Sequence, residues 1–220
     1  MNQRRVRRFP PAGITVVMIS LLAIGCQASY FLTLNEEREV KAEFNQIGDR
    51  KVAVIVWADR PTQDLYPRAP RRVADKVVYQ MKRNLPDAEF VPPRDVEKFQ
   101  RDSGLDWESM SNTDIASELK CDLVLRIDLF EYTTRAAETR ELRRSRIGAS
   151  VSLYEMGLGG REQAVYTTEI SATYPSEGEP IAADIDDEED LLELAGEQFA
   201  HLVATKFYDH TESLRGRNAD

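Results

Sequence analysis

The sequence predicts an α/β (α+β) fold in which helices cover a mixed β-sheet. Residues 51–57, KVAVIVW, form a continuous apolar and β-branched run, which is typical of a strand buried on both faces. Further along, apolar residues recur at the spacing of amphipathic helices. Three later segments alternate apolar with polar residues, as strands with one buried face do. Together these patterns indicate one domain built around a covered sheet.

Strands alternate with helices in the first half of this domain. Apolar spacing predicts a helix near residues 70–85, and a short strand follows at 89–91. A second helix is predicted to begin at Pro93 and to end at Gly104, because proline suits a first helical turn and glycine a helix end. Ser111 and its neighbours offer caps for a third helix.

The second half of the domain is rich in strands. Strict alternation predicts strands over 121–132, 146–156 and 163–174, and the last two are expected to form an antiparallel hairpin. An amphipathic pattern then predicts a final helix over 191–208. The predicted order is therefore βαβααβββα, with helices covering the sheet.

The first 25 residues have the composition of a secretory signal peptide. Four arginines without an acid precede a 12-residue apolar run, Ile14 to Gly25, which is shorter than the roughly 20 residues of a membrane span. The run ends in Ala-Ile-Gly-Cys at Cys26, which resembles the lipobox of bacterial lipoproteins, although Ala23 stands where that motif usually has leucine. The resemblance implies that Cys26 carries a covalent lipid. An ordinary signal peptide or an uncleaved anchor is the alternative.

The same resemblance implies a location and an organisation. In the sorting rule of proteobacterial lipoproteins, an Asp after the cysteine retains the protein at the inner membrane. Gln27 therefore implies the outer membrane, facing the periplasm, with the inner membrane as the other possibility. The expected organisation is a lipoprotein signal peptide (1–25), a lipid anchor and tether (26–50), an α/β domain (51–208) and a polar tail (209–220).

The order of elements resembles the α/β domains of periplasmic envelope proteins: the TolB N-terminal domain, the curli-secretion lipoprotein and the lipoprotein activators of peptidoglycan synthases. The matching pieces are KVAVIVW, the 93–103 helix, IASELKCDLVLRIDL, SVSLYEM and YTTEISATY. The resemblance implies an anticodon-binding-like envelope domain. Such relatives often carry Gly-Ala-Asp where this chain has Lys120, Cys121 and Asp122, so Cys121 is expected to be a small buried core residue.

Composition disfavours several functional classes. The net charge is −9, and loss of the signal peptide leaves 25 basic against 38 acidic residues, or −13, which argues against nucleic-acid binding. Two cysteines and two histidines are too few for a disulfide framework or a zinc site. The sequence contains no Gly-x-Ser-x-Gly or His-Glu-x-x-His motif. We therefore expect a protein that is not an enzyme and has no cofactor besides the lipid.

Two charged clusters are candidate sites. The first comprises Arg135, Arg140, Arg143 and Arg144, in what is expected to be a long connection between the third and fourth strands. These arginines are candidates for contacting a partner. The alternative is a solvated loop whose arginines pair with nearby glutamates.

The second cluster is the acidic run 184–190. Asp186, Asp187 and Asp190 are weak metal-ligand candidates, because the spacing and glycine of a calcium loop are missing. These acids are more simply explained as caps of the last helix. The leading hypothesis is a non-enzymatic, lipid-anchored envelope protein that binds a protein partner or itself, in envelope assembly, secretion or support of peptidoglycan synthesis. The alternative is a lipid-anchored hydrolase or small-ligand-binding enzyme that uses the 184–190 region.

Overall fold

The computed structural model describes residues 37–136, 143–156, 163–176 and 187–213. The chain divides into two compact units. One of them contains β1 (Glu37–Val40) and most of β7 (His210–Ser213), and these two strands form a two-stranded sheet. The other unit, Lys41–His210, is the α/β domain.

The α/β domain contains the predicted strands and helices in the predicted order, with one additional short α-helix and a 3-10 helix. In chain order, its elements are β2 (Lys51–Ala58), α1 (Arg60–Leu65), α2 (Ala69–Asn84), β3 (Glu89–Phe90), α3 (Pro93–Asp102), a 3-10 helix (Asp106–Ser109), α4 (Asn112–Leu119), β4 (Leu123–Ala136), β5 (Arg143–Glu155), β6 (Ala164–Tyr174) and α5 (Glu188–Thr205). The additional helix, α1, lies in the proline-rich segment after β2. It forms there because the Asp59 carboxylate accepts the Thr62 N–H and Pro61 occupies the first turn.

The sheet is mixed, as the sequence predicts. Its strand order is β3-β2-β4-β5-β6. Strand β2 runs parallel to β3 and β4, whereas β5 runs antiparallel to both β4 and β6. Asp122 aligns the starts of β2 and β4, because its carboxylate accepts the Lys51 N–H at 2.9 Å and its own N–H donates to the Lys51 carbonyl at 2.8 Å.

Helices cover the two faces of the sheet unequally. Helices α2 and α5 pack against residues from all five strands and enclose a large core that includes Met81, Leu125 and Phe199. On the opposite face, α3, the 3-10 helix and α4 enclose a smaller core around Ile55, Val124 and Trp107. This smaller core covers the β2 side of that face, and the helices that the structure describes leave much of its β4–β6 side uncovered.

Cys121 is the small core residue that the sequence predicts. It is buried in the smaller core, and burial raises the pKa of its thiol to about 11. At neutral pH the thiol therefore stays protonated and is a poor nucleophile.

The connection between β4 and β5 corrects one expectation. The pairing of the two strands continues as far as Ala136 and Arg143, so the long connecting loop expected over 133–146 is largely an extended hairpin. Arg135, Arg143 and Arg144 therefore lie on strands. The prediction failed because it relied on alternating apolar residues, which are missing from this end of the hairpin.

Residues 41–50 differ from the expected tether, because they are part of the compact domain. Ile47 is only 1% exposed and belongs to the large core. The ring of Phe44 packs against those of Tyr166 and Phe207. The carboxylate of Glu43 accepts hydrogen bonds from the Tyr166 hydroxyl and the Lys206 ammonium, both at 2.6 Å. The domain therefore begins about ten residues earlier than expected.

Candidate binding cleft

A cleft lies where the parallel strands β2 and β4 end their pairing. The last paired residues are Ala58 on β2 and Leu129 on β4. Tyr66 follows α1 just beyond β2, and Tyr132 follows Leu129 on β4. Ligand sites in sheets with parallel strands commonly form at these carboxyl ends.

We call this feature the Tyr66–Tyr132 cleft, and its volume is about 390 Å³. Its lining combines apolar side chains with both signs of charge. The lining residues are Leu65, Tyr66, Pro67, Arg68, Ala69, Arg72, Tyr132, Asp187, Glu188, Glu189 and Leu192. The size lies within the range of small-molecule and side-chain binding pockets.

A β-bulge places Tyr132 in the cleft. The register between β4 and β5 shifts between Leu129 and Glu131, so Phe130 is the extra residue on its strand. The bulge reverses the alternation of faces, and Leu129 and Tyr132 therefore both belong to the large core. Without the bulge, Tyr132 would lie on the opposite face of the sheet.

The two tyrosines form the floor of the cleft. Their ring centroids are 5.2 Å apart, with an interplanar angle of 63°. Tyr132 is 8% exposed, and burial raises its pKa to about 12. Burial and a hydrogen bond to Glu188 also raise the pKa of Tyr66. Both hydroxyls therefore stay protonated at neutral pH.

Contacts from Tyr66 and from α2 to α5 close one side of the cleft. The Tyr66 hydroxyl donates to the Glu188 carboxylate at 2.9 Å, and the Arg72 guanidinium donates to Glu189. One turn further along, the Lys76 ammonium pairs with Glu193 and lies 3.6 Å from a Glu197 oxygen. These contacts hold the two helices side by side, so the cleft has defined walls.

The two walls end in lips of opposite charge. Helix α5 begins with Asp187, whose carboxylate accepts the Glu189 N–H at 3.0 Å, and Asp190 follows in its first turn. Helix α2 begins after Arg68, which is exposed and makes no ion pair with any other residue that the structure describes. Leu65, on the lip with Arg68, is 75% exposed. The cleft therefore has an acidic lip and a cationic, apolar lip.

The acidic run has a structural role in the described part of the chain. Asp187 is the N-cap of α5, and Glu188, Glu189 and Asp190 fill its first turn, which confirms the helix-capping interpretation for these four residues. Asp186 lies outside the described residues. Within 37–136, 143–156, 163–176 and 187–213, no three His, Cys, Asp or Glu side chains are grouped to hold a metal ion.

The arginine cluster does not contribute to the cleft lining. Arg135 pairs with Arg144 across the β4–β5 ladder, and Arg143 pairs with Ala136. Arg140 lies outside the described residues, as do Cys26 and the signal peptide. Whether these arginines contact a partner stays a prediction.

The sequence did not single out the residues that form the floor and the cationic lip. Leu65, Tyr66 and Arg68 lie in the proline-rich segment after β2, where the sequence patterns predict no element, and Tyr132 is only the last residue of a predicted strand. One signal was available: the apolar pair Leu65-Tyr66 directly follows a buried parallel strand, at the edge where sites form.

Comparisons with known proteins add a weak likeness of fold. No protein-family model matches the chain, and a search of curated proteins finds no match. Among solved structures, the PelC dodecamer from Paraburkholderia phytofirmans is 12% identical, with a TM-score of 0.46 over 79% of this chain and 98% of that one. Lipoprotein GNA1162 from Neisseria meningitidis is 13% identical, with a TM-score of 0.44 over 70% and 97%.

A minor lipoprotein from Acinetobacter baumannii is also 13% identical, with a TM-score of 0.27 over 70% of this chain and 88% of that one. In the described part of the chain, no helix combines the length and the apolar character that a membrane crossing requires. All three of these TM-scores lie below 0.5, so the solved structures assign this chain neither a family nor a function.

Proposed function

We propose that this chain is a non-enzymatic, lipid-anchored protein of the bacterial envelope whose α/β domain binds a protein through the Tyr66–Tyr132 cleft. The observation that carries the proposal is the cleft itself, where an apolar floor lies between two charged lips beside the exposed Leu65. A concave apolar surface with a few placed polar groups is typical of a binding site.

The anchor is inferred from the sequence. The arginine-rich leader, the 12-residue apolar run and Cys26 resemble a lipoprotein signal, and several acyl chains on one residue hold a protein stably at a bilayer. Gln27 favours the outer membrane, with the domain in the periplasm. Only 14 residues, 27–40, separate Cys26 from the domain, and they span at most about 50 Å when fully extended. The domain would therefore work close to the bilayer.

Contacts at the cleft favour binding over catalysis. Three acidic residues line it, and each carboxylate already has a structural hydrogen bond: Asp187 to its own helix, Glu188 to Tyr66 and Glu189 to Arg72. A general acid or base must exchange its proton with a substrate, so carboxylates held in such contacts are poorly suited to that role. The same contacts suit a rigid docking surface, because they fix the shape of the walls.

The anchor is tested by mass spectrometry of the mature protein after membrane fractionation. We expect an acylated Cys26 at the amino terminus and recovery in the membrane fraction. The variant Cys26→Ser should keep its leader and lack the lipid. An unmodified cysteine with the leader still attached would refute the anchor.

The cleft is tested by photocrosslinking in intact cells. A photoreactive residue replaces Leu65 in one variant and Leu105 in a control variant, because both leucines are 75% exposed. We expect a protein adduct from position 65 and none from position 105. Equal labelling from both positions, or none from position 65, would count against a binding role for the cleft.

A further inference from the structure

We propose that the occupant of the Tyr66–Tyr132 cleft is a second copy of this chain, docked about a two-fold axis that passes through the mouth of the cleft. This inference rests on the proposed function, because it takes the cleft to be a docking surface. It adds the identity of the partner and the geometry of the contact.

The lips of the cleft are complementary to each other. The cationic lip carries Arg68, and the acidic lip carries Asp190 one position beyond the lining. Neither side chain forms an ion pair with another described residue, whereas Arg72 and Glu189 are already paired within the same copy. A two-fold axis exchanges the lips, so Arg68 of each copy meets the acidic lip of the other. The contact then brings together two pairs of opposite and otherwise unpaired charges, Arg68 of each copy with Asp190 of the other.

The apolar parts of the cleft are also complementary to each other. Leu65 projects from the lip with 75% of its surface exposed, while Tyr66, Tyr132 and Leu192 form an apolar floor beside it. The rotation that brings Arg68 to the opposing acids also brings Leu65 over the floor of the other copy. A surface that carries both the projecting side chain and its receptor is self-complementary, which is what a two-fold interface requires.

The anchor makes a modest contact sufficient. The predicted mature chain carries a net charge of −13, so free copies repel one another in solution. Copies anchored in one bilayer by tethers of at most about 50 Å have a high effective concentration, which offsets this repulsion. The association should therefore be strong in the membrane and weak for a protein without its lipid.

Disulfide crosslinking of the full-length protein in its native membranes tests the geometry. The two Leu65 side chains lie near the axis, so Leu65→Cys should give a crosslinked dimer on mild oxidation by copper phenanthroline and oxygen. Leu105→Cys is the matched control, with the same exposure, and should give none. The native thiols do not interfere, since Cys121 is 2% exposed and Cys26 is expected to be acylated on sulfur.

Charge reversal tests the pairing of the lips in the Leu65→Cys background. We expect Arg68→Glu or Asp190→Arg alone to lower the dimer yield at least tenfold, and the double variant to restore it. Circular dichroism of each variant checks that the domain stays folded. A dimer yield that does not respond to either reversal would overturn the proposed interface.

The outcomes separate this inference from the proposed function. If a photoreactive residue at position 65 links only to a different envelope protein, the cleft is a docking site and the second copy is the wrong occupant. If position 65 links to nothing and Leu65→Cys gives no dimer, both proposals fail. A dimer that forms through Leu65→Cys and requires opposite charges at positions 68 and 190 supports the two-fold contact.

Discussion

The two halves of the sheet are covered differently, and their sequences differ accordingly. On β2, Val54 and Val56 face the large core while Ala53 and Ile55 face the smaller one, so nearly every side chain is buried. On the β4–β6 side, the face under α2 and α5 is covered along its length, whereas the described helices cover the other face mainly near Val124 and Tyr154.

Beyond these residues, the same face of the β4–β6 side carries polar contacts instead. Arg126 pairs with Asp128 at 2.9 Å, and the hydroxyls of Ser152 and Thr167 lie 3.2 Å apart. Phe130 is 58% exposed there, lying across Gly148 where a Cβ atom would come within 2.5 Å of its ring. A strand that is covered on both faces therefore has a continuous apolar sequence. A strand that is covered on one face alternates apolar with polar residues.

The largest effect on stability is expected when a charge is placed on each half of the sheet in turn. Ile55→Asp buries a carboxylate in the smaller core without a partner, so we expect a loss of several kcal/mol and no folded domain. Ser171→Asp, at an exposed position of β6, should change the free energy of unfolding by less than about 0.5 kcal/mol. Urea denaturation followed by circular dichroism distinguishes them, and similar midpoints would contradict the difference in coverage.

Two matched substitutions remove the same chemical group from each core and so compare the two cores directly. Ile127→Val in the large core and Ile115→Val in the smaller core each remove one methylene from a fully buried side chain. Such changes cost about 0.5–1.5 kcal/mol, depending on how well the site relaxes. We expect Ile127→Val to cost an amount near the upper end of this range and Ile115→Val an amount near the lower end. The smaller core has fewer buried side chains, so it should relax more easily around the lost methylene. The reverse order in denaturant titrations would show that the smaller core is the more rigid.

The end of α4 offers a stabilising change. Lys120 terminates this helix with a left-handed backbone, φ 51° and ψ 55°, a conformation that costs a side-chain-bearing residue about 1 kcal/mol. Lys120→Gly should therefore raise the free energy of unfolding by about that amount. The control Glu118→Gly, on the exposed surface of the same helix, should lower it by about 1 kcal/mol. Equal signs for the two variants would refute the explanation.

The smallest expected effect concerns the docking of residues 41–50. Hydrogen bonds from Lys206 and Tyr166 lower the pKa of Glu43. A carboxylate with a lowered pKa in the folded state contributes stability above its unfolded pKa, about 4.3, and loses it as the pH falls through the folded value. We expect a contribution of a few tenths of a kcal/mol, since the pair is partly exposed.

The variant Glu43→Gln should lack this part of the acid sensitivity. Denaturation at pH 7 and pH 3 measures it in both proteins, and identical pH dependence in the two would contradict the assignment. The signal is small, so thermal midpoints at several pH values between these limits give the sharper comparison.

The sequence predicted the elements whose pattern is set by long apolar faces. Strand β2, helix α2 and the β5–β6 hairpin have such faces, and the structure confirms them. Residues 41–50 escaped prediction because Ile47 is a single buried side chain in an otherwise polar stretch, which gives no periodic signal. The position of Lys120 shows the converse: the resemblance indicated a glycine there, and the left-handed backbone supplies the physical reason.

The cleft could not be predicted for a different reason. Uninterrupted alternation from Leu129 would assign Glu131 to the buried face and Tyr132 to the open one. The extra residue Phe130 reverses this, and nothing in the local sequence specifies a bulge there. The walls then depend on contacts between residues more than one hundred positions apart, such as Arg72 with Glu189.

The docked segment 41–50 also determines how the domain would bear mechanical load. A pull along the chain from Cys26 first meets the pairing of β1 with β7 and then the contacts between residues 41–44 and 206–209. There Lys41 and the Ala42 N–H both contact the Asp209 carboxylate, and the Phe44 N–H donates to the Lys206 carbonyl at 3.0 Å. Ile47 comes next, and only then the central strand β2. A force applied through the anchor would therefore break these contacts at the edge of the domain before it could separate the strands of the sheet.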